Sequence, residues 1–287
     1  MSPLVSVVIC VRNGEKYIKG CINSLLNQTF KDYEIILAND ASTDRTLRII
    51  NEFRDQRIKV LSNNECLGIA KSRNIGIKHA NGKYIFCTDA DCTVSKTWIE
   101  EGLSCFAAGC VGVEGQLIYV SENYQPTFST QFMDNKTGGH FMTGNVAYRK
   151  DMIKEIGGFN EKINHFADRD LGLRVVKLGK VCFNKNMTAV HPLIIQTPKG
   201  LIKSASRIEG RVYLFKRFDD RVSISWRVVN PFNLAKIFFP ELTLLTLFSG
   251  RFKRNEDYRL LPFTYLYAIL ERLHIWKACA KYRVFLI

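Results

Sequence analysis

Between residues 5 and 88 the chain alternates short β-branched runs with segments of helical period, and few folds accommodate that alternation. Val5 to Val11 is a continuous apolar run. Lys16 to Gln28 then carries Ile18, Cys21, Ile22, Leu25 and Leu26 at the spacing of one helix face. Glu34 to Asn39 reads as a second strand, and Ser42, Thr43 and Asp44 offer N-cap candidates for a helix running through Phe53. Ile58 to Leu61 is a short strand, Ile69 to His79 is helical, and Asn81-Gly82 turns the chain into a strand over Tyr84 to Thr88. Parallel strands joined by helices need right-handed crossovers and burial on both faces of the sheet. The first 100 residues are therefore expected to form an α/β half of the nucleotide-binding kind.

The last of these strands runs into Asp89-Ala90-Asp91. Two carboxylates one small residue apart, at the carboxyl end of a buried strand, can hold a hard divalent cation such as Mn²⁺ or Mg²⁺, which prefers oxygen ligands and shares them with phosphates. Open α/β sheets bind ligands at that edge. On its own the pair is equally at home in a turn or at a helix cap.

Further along the pattern loosens. Lys96 to Phe106 is helical, with Trp98 assigned to the core, and Val111 to Val120 is strand-like. Ser121 to His140 is polar and aromatic without clear period. Such a stretch inside a compact domain is a candidate functional loop, and Phe128, Phe132, His140 and Phe141, between Ser121 and Gly144, are candidates for holding a ligand there. Asn145 to Arg149 returns as a strand, Ile156 to Phe159 as a turn and Asp168 to Leu178 as a helix. The nine cysteines include no C-x-x-C pair, and Cys10, Cys87 and Cys182 lie in strand-like runs. They read as ordinary core thiols of a reducing compartment. The opening Met1-Ser2-Pro3 lacks the basic start of a signal peptide, so a cytoplasmic protein, or one peripheral on the cytosolic face of a membrane, is expected.

Of the formal charge of +14, most lies in the tail: Lys199 to Ile287 carries 17 Lys/Arg against 7 Asp/Glu. An anionic partner for that region is implied. Pro231 to Phe248 is too short and too interrupted to span a bilayer. Leu260 to Ala280 has the mixed aromatic and basic composition of an interfacial helix. Attachment to an anionic membrane surface and simple packing on the α/β domain both fit the tail.

Four segments, Val5 to Asn13, Asn39 to Asp44, Ser72-Arg73-Asn74-Ile75-Gly76 and Thr88 to Cys92, occur in an order and spacing that resembles the family 2 glycosyltransferases of GT-A fold. The resemblance continues through Thr143-Gly144-Asn145, Gly157 to Glu161 and Asp168 to Arg174, covering roughly residues 4 to 195. It implies a mainly parallel, Rossmann-like sheet covered by helices over residues 1–198, with 199–287 as a basic, mostly helical extension. It also implies an inverting, metal-dependent transfer of one sugar from a nucleotide-diphosphate sugar, most simply a UDP-sugar, to an acceptor hydroxyl, sugar or lipid-linked. The implied donor-binding residues are Val11, Asn13, Asp40, Arg73, Asp89 and Ala90. Asp91 would ligate the metal, with Asp89 and His191 as further ligand candidates. Cys92 stands where many relatives carry another Asp.

Asp168 aligns with the aspartate of the family's Glu-Asp motif, the general base, although Ala167 replaces the Glu. Asp170 is the competing assignment; on a helix the two point about 200° apart, so only one can face the site. A Gln-x-x-Arg-Trp segment, typical of processive synthases in the family, is absent, so one sugar per encounter is expected. Two rival readings are a non-catalytic nucleotide-sugar binder on the same fold and a nucleic-acid binder through the basic tail. No nucleic-acid motif supports the second.

Overall fold

The computed structural model describes residues 2–119, 127–131, 135–219, 242, 244, 247, 251–253 and 255–284. It divides into two units. The first comprises Met1–Glu122, Met133–Lys162 and Ala167–Pro192; the second comprises Asn123–Phe132, Ile163–Phe166 and Leu193–Ile287.

The first unit is built on an eight-stranded sheet. Strands β1 (Val5–Val11), β2 (Tyr33–Asn39), β3 (Ile58–Ser62) and β4 (Tyr84–Cys87) are mutually parallel. They are linked by helices α1 (Ile18–Leu26), α2 (Thr46–Glu52) and α3 (Ile69–His79). The remaining strands are β5 (Thr93–Val94), β6 (Gly112–Tyr119), β8 (Val146–Arg149) and β9 (Val181–His191), giving the order β3-β2-β1-β4-β8-β6-β9-β5. β8 runs antiparallel to both β4 and β6, while β6 and β9 are parallel. Helices α4 (Trp98–Ala107), α5 (Lys150–Glu155) and α6 (Ala167–Val175) complete the unit.

The β-branched runs form strands because helices cover both of their faces, and Val5, Val7, Ile9, Ile35, Leu37 and Ile85 are fully buried. Helix α1 buries Ile18, Cys21, Ile22 and Leu25, the face read from its period. The start of α2 departs from expectation. Its helix begins at Thr46, because Ser42 and Thr43 are engaged by Asn13: the Asn13 amide donates to Ser42 Oγ at 3.0 Å, and the Thr43 amide to Asn13 Oδ1 at 2.8 Å.

Trp98 is fully buried, its ring edge-on to Phe86 at 5.1 Å. Its indole N–H donates to Asn145 Oδ1 at 2.7 Å, while Asn145 Nδ2 donates to the carbonyls of Gln116 and Met187 at 2.8 and 2.7 Å. One amide thus ties α4, β6 and β9 to the 3₁₀ turn Thr143–Asn145. The reading of every cysteine as a core thiol fails at one pair. Cys110 and Cys182 form a disulfide, Cα atoms 6.2 Å apart, because β6 and β9 are neighbours although the residues lie 72 positions apart in sequence.

In the second unit, β7 (Thr130–Gln131) and β10 (Ile194–Ile195) pair antiparallel, and α7 (Pro198–Ser204), α8 (Ile208–Phe218), Asn255–Arg259 and the long Leu261–Tyr282 helix follow. The long helix packs Ile275 against Ile208, and His274 Nδ1 lies 2.5 Å from Glu209 on α8. Leu266, Leu273 and Trp276 remain exposed on it. Among the described residues no helix is long and apolar enough to cross a membrane. Most of Pro231 to Phe248, and Phe132, lie outside the described residues.

Asn145→Leu should strand an indole N–H and two carbonyls in the core, at ~1–3 kcal/mol for each unsatisfied group. Urea unfolding should show a loss of at least about 3 kcal/mol; an unchanged midpoint would remove Asn145 from this role.

Candidate active site

A cleft of about 510 Å³ opens at the carboxyl ends of β1, β2 and β4. Its lining includes Cys10 to Gly14, Asp40, Gly68 and Asp89 to Asp91. Five of the six expected donor residues, Val11, Asn13, Asp40, Asp89 and Ala90, therefore border one cavity. Tyr17, Cys66 and Ile69 also line it, and nothing in their sequence context marks them. Cys10 is no nucleophile there: burial, opposed by Arg73, pushes its thiol up to about 11.

Asp40 follows β2 and is 2% exposed. Its Oδ1 accepts from the Leu67 amide at 2.8 Å and Asn63 Nδ2 at 3.0 Å, and its Oδ2 from the Gly68 amide at 3.0 Å. Burial pushes this carboxyl up, but these donors and Ser72 outweigh it and hold the group below the usual carboxylate range. Asp40 thereby organises the loop into α3, and Cys66 Sγ adds a weak bond to Oδ2 at 3.5 Å.

Arg73 does not line the cleft. It lies behind it, 5% exposed, with Nη2 donating to Asp89 Oδ1 at 2.6 Å and the guanidinium 5.6 Å from the Phe159 ring centroid. Its guanidinium makes an ion pair that aims the first carboxylate of the Asp-x-Asp segment. Next to it, Asn74 clamps the Gly157-Gly158-Phe159 turn through the Phe159 amide and carbonyl at 2.8 and 2.9 Å.

At the other rim, His191 Nε2 lies 3.3 Å from Asp91 Oδ2, and the His ring stacks on Tyr119. His191 Nδ1 is 2.7 Å from the Pro192 carbonyl, which can only accept, so Nδ1 carries the proton in the neutral ring. The Nε2 lone pair then faces a carboxylate oxygen. Two acceptors at that separation call for a cation or a proton between them, and a ligating histidine with its other nitrogen bonded to a carbonyl is the usual arrangement at a metal. Burial pushes Asp91 above the ordinary range, His191 draws it back and Asp89 adds to the rise. Asp91, Cys92 and His191 present ligand atoms within 4.8 Å of one another. Burial raises the Cys92 thiol well above its ordinary value, and its Sγ stands 3.9 Å from Asp91 Oδ1 as a weak donor. A carboxylate and an imidazole so placed could together hold a divalent cation.

The two aspartates of α6 have opposite surroundings. Asp170 is fully buried and paired with Arg174, whose Nη2 is 2.7 Å away and which also donates to the carbonyls of Ile156 and Gly158. Asp168 is half-buried, within the electrostatic reach of Arg73 and Asp89. Burial raises its pKa above 3.8; Arg73 and the amides of Arg169 and Thr143 oppose that, and Asp89 adds to it.

A cleft at the carboxyl edge of a mainly parallel sheet, rimmed by an Asp-x-Asp pair with a histidine beside it, is the arrangement of the GT-A architecture. The model of glycosyl transferase family 2 matches residues 6–157, more than half of the chain, and the chain belongs to that family. Hyaluronan synthase of Pasteurella multocida is 30% identical over 247 residues, 76% of this chain and 25% of that protein. The UDP-Glc:alpha-D-GlcNAc-diphosphoundecaprenol beta-1,3-glucosyltransferase WfaP of Escherichia coli is 44% identical over 88 residues, 31% of this chain and 35% of that one. The chain thus spans about a quarter to a third of the length of these relatives. The mannosyltransferase PcManGT from Pyrobaculum calidifontis, solved with GDP-Man and Mn²⁺, shares the fold with a TM-score of 0.67 at 15% identity, over 96% of this chain and 88% of that one.

The contrast on α6 is testable by stability. The folded-state pKa of Asp168 is raised, so its stabilising contribution is full below about pH 3.8 and is lost as pH rises through the raised value. At pH 7 Asp168→Asn should leave the melting temperature unchanged or higher. Asp170→Ala strands a buried Arg174 and should cost about 3–5 kcal/mol. Equal losses in both variants would contradict this division of roles.

Proposed function

We propose that the chain is an inverting glycosyltransferase that moves one sugar from a nucleotide-diphosphate sugar, a UDP-sugar by preference, to an acceptor hydroxyl. The observation that carries this reading is the convergence of Asp89, Asp91 and the His191 imidazole at the rim of the strand-end cleft. The nucleotide base would lie toward Asp40 and the Gly68 end, and the diphosphate toward Asp89 to Asp91. Asp91 and His191, supported by Asp89, would hold Mn²⁺ or Mg²⁺. When bound, such an ion supplies positive charge to the diphosphate leaving group.

Asp168 supplies the base. Its raised pKa makes it a stronger proton acceptor than an ordinary aspartate. It takes the proton of the acceptor hydroxyl as that oxygen bonds to the anomeric carbon, and the bond from that carbon to the diphosphate oxygen breaks. The nucleoside diphosphate leaves with the electron pair, and the anomeric configuration inverts. Asp170, neutralised by Arg174, has no free direction toward the cleft and serves the turn at Gly157-Gly158.

WfaP acts on a diphosphoundecaprenol-linked sugar. That relative, with the basic tail and the exposed Leu266, Leu273 and Trp276, supports a lipid-linked acceptor met at an anionic membrane surface from the cytosolic side. The region 1–198 would carry the chemistry and 199–287 the attachment.

Asp168→Asn should lower turnover with a UDP-sugar by about 10²-fold or more, with UDP affinity preserved. The reverse pattern, with Asp170→Asn inactive and Asp168→Asn active, would reassign the base. In co-sedimentation the full chain should bind anionic vesicles, less strongly as salt rises toward about 0.5 M, because charge is screened and apolar burial is not. A lack of vesicle binding at low salt would leave the tail without this role.

A further inference from the structure

Glu114 is a single acidic residue in the middle of β6, 3% exposed, and the reaction described above does not use it. Among the described residues its carboxylate meets no cation and is instead surrounded by amides. Oε1 accepts from the Gly139 amide at 2.6 Å; Oε2 accepts from the amides of His140 and Phe141 at 2.9 and 2.5 Å and from Asn135 Nδ2 at 3.0 Å. Successive amides converge on one carboxylate because the loop is wound through left-handed conformations: Gly138 and Gly139 at φ 82 and Phe141 at φ 57. Such a concavity of N–H groups is an anion receptor, here filled by the chain's own carboxylate. For a bulky residue such as Phe141 the left-handed conformation is unfavourable and persists only where its surroundings impose it.

The loop so held leans on the helix that carries Asp168. Phe141 packs directly over Gly172 of α6, where an added Cβ would lie 2.1 Å from the Phe141 ring, and Arg169 Nη1 donates to the Gly139 carbonyl at 2.8 Å. The same segment continues into Met142 and Thr143, whose amide is one of the donors acting on Asp168. Glu114 therefore connects rigidly, through three backbone amides, to the flank of the base.

We propose that Glu114 is a positioning residue for the acceptor: its carboxylate holds the loop of residues 135–143 against α6 and so sets the surface beside Asp168 on which the acceptor hydroxyl is presented. This rests on the glycosyltransferase reading and extends it to the acceptor side. Among the described residues Asp40 and Asp89 make no hydrogen bond to residues 135–143, so acceptor handling should change more than donor handling.

The test is Glu114→Gln in the full chain, which replaces one accepting oxygen by an NH₂ group facing amide donors. Amide exchange at residues 139–141 should quicken relative to wild type; unchanged protection overturns the proposal. With a UDP-sugar and a GlcNAc-diphosphate carrying a short alkyl chain as acceptor, the acceptor KM should rise about tenfold or more. UDP affinity and acceptor-independent donor hydrolysis should stay within about twofold. Hydrolysis and transfer falling in equal proportion, or an unchanged acceptor KM, also overturn it. Arg169→Met, which loosens the same loop without a buried defect, should shift acceptor KM in the same direction and serves if Glu114→Gln does not fold. Wild-type protein that turns over no donor contradicts the transferase reading instead, and amide exchange still decides the role of Glu114.

Discussion

The ion pair between Arg73 and Asp89 is the contact on which the site depends. A guanidinium 5% exposed is tolerated only when a carboxylate meets it, and removing either partner would leave a buried or half-buried charge uncompensated. The pair joins the first turns of α3 to the end of β4, and so fixes the direction in which the Asp-x-Asp segment leaves the sheet. Asn74, one residue on, holds the turn at Gly158 and Phe159, and Phe159 returns to cover the guanidinium. A single turn of helix thereby aligns the donor half of the unit with the segment leading to α6.

Charge balance around this pair explains the chemistry the cleft can support. Asp89, Asp91 and Asp168 lie about the Arg73 guanidinium and the His191 imidazole, so three carboxylates share one permanent positive charge. Burial raises both Asp91 and Asp168 above the ordinary carboxylate range, and Asp89 adds to the rise in each. On the proposed reading, a divalent cation at Asp91 would add positive charge there and relieve the opposed lone pairs of Asp91 and His191. On the same reading Asp168, whose pKa is raised by burial, would be the proton acceptor.

The parallel half of the fold was legible because its strands are β-branched and buried on both faces, so Val5 to Val11 and Ile58 to Leu61 announce themselves without knowledge of their neighbours. The strand-end position of Asp89 to Asp91 followed from the same pattern. What sequence could not supply was the partner of each polar group. Arg73 was expected to face the donor, yet folding brings Asp89 to it; Asp40 carries a load of loop amides that residues 63 to 68 give no hint of. Asp168 and Asp170 are distinguished only by Arg174, one helical turn later, reaching back to the second. Glu114 looks like an ordinary strand residue, because its receptor is made of backbone amides more than 20 residues downstream. The Cys110–Cys182 disulfide is hidden in the same way, created by strand neighbours far apart in sequence.

Calorimetric titration of UDP into the full chain, with Mn²⁺ and again with EDTA, tests the central claim most directly. With the carboxylates and His191 gathered for a cation that the diphosphate shares, UDP should bind at least about tenfold more tightly in Mn²⁺, a difference of about 1.4 kcal/mol. Asp91→Asn should erase that difference. UDP binding of equal strength in Mn²⁺ and EDTA would contradict the account of the cleft as a metal-assisted nucleotide site.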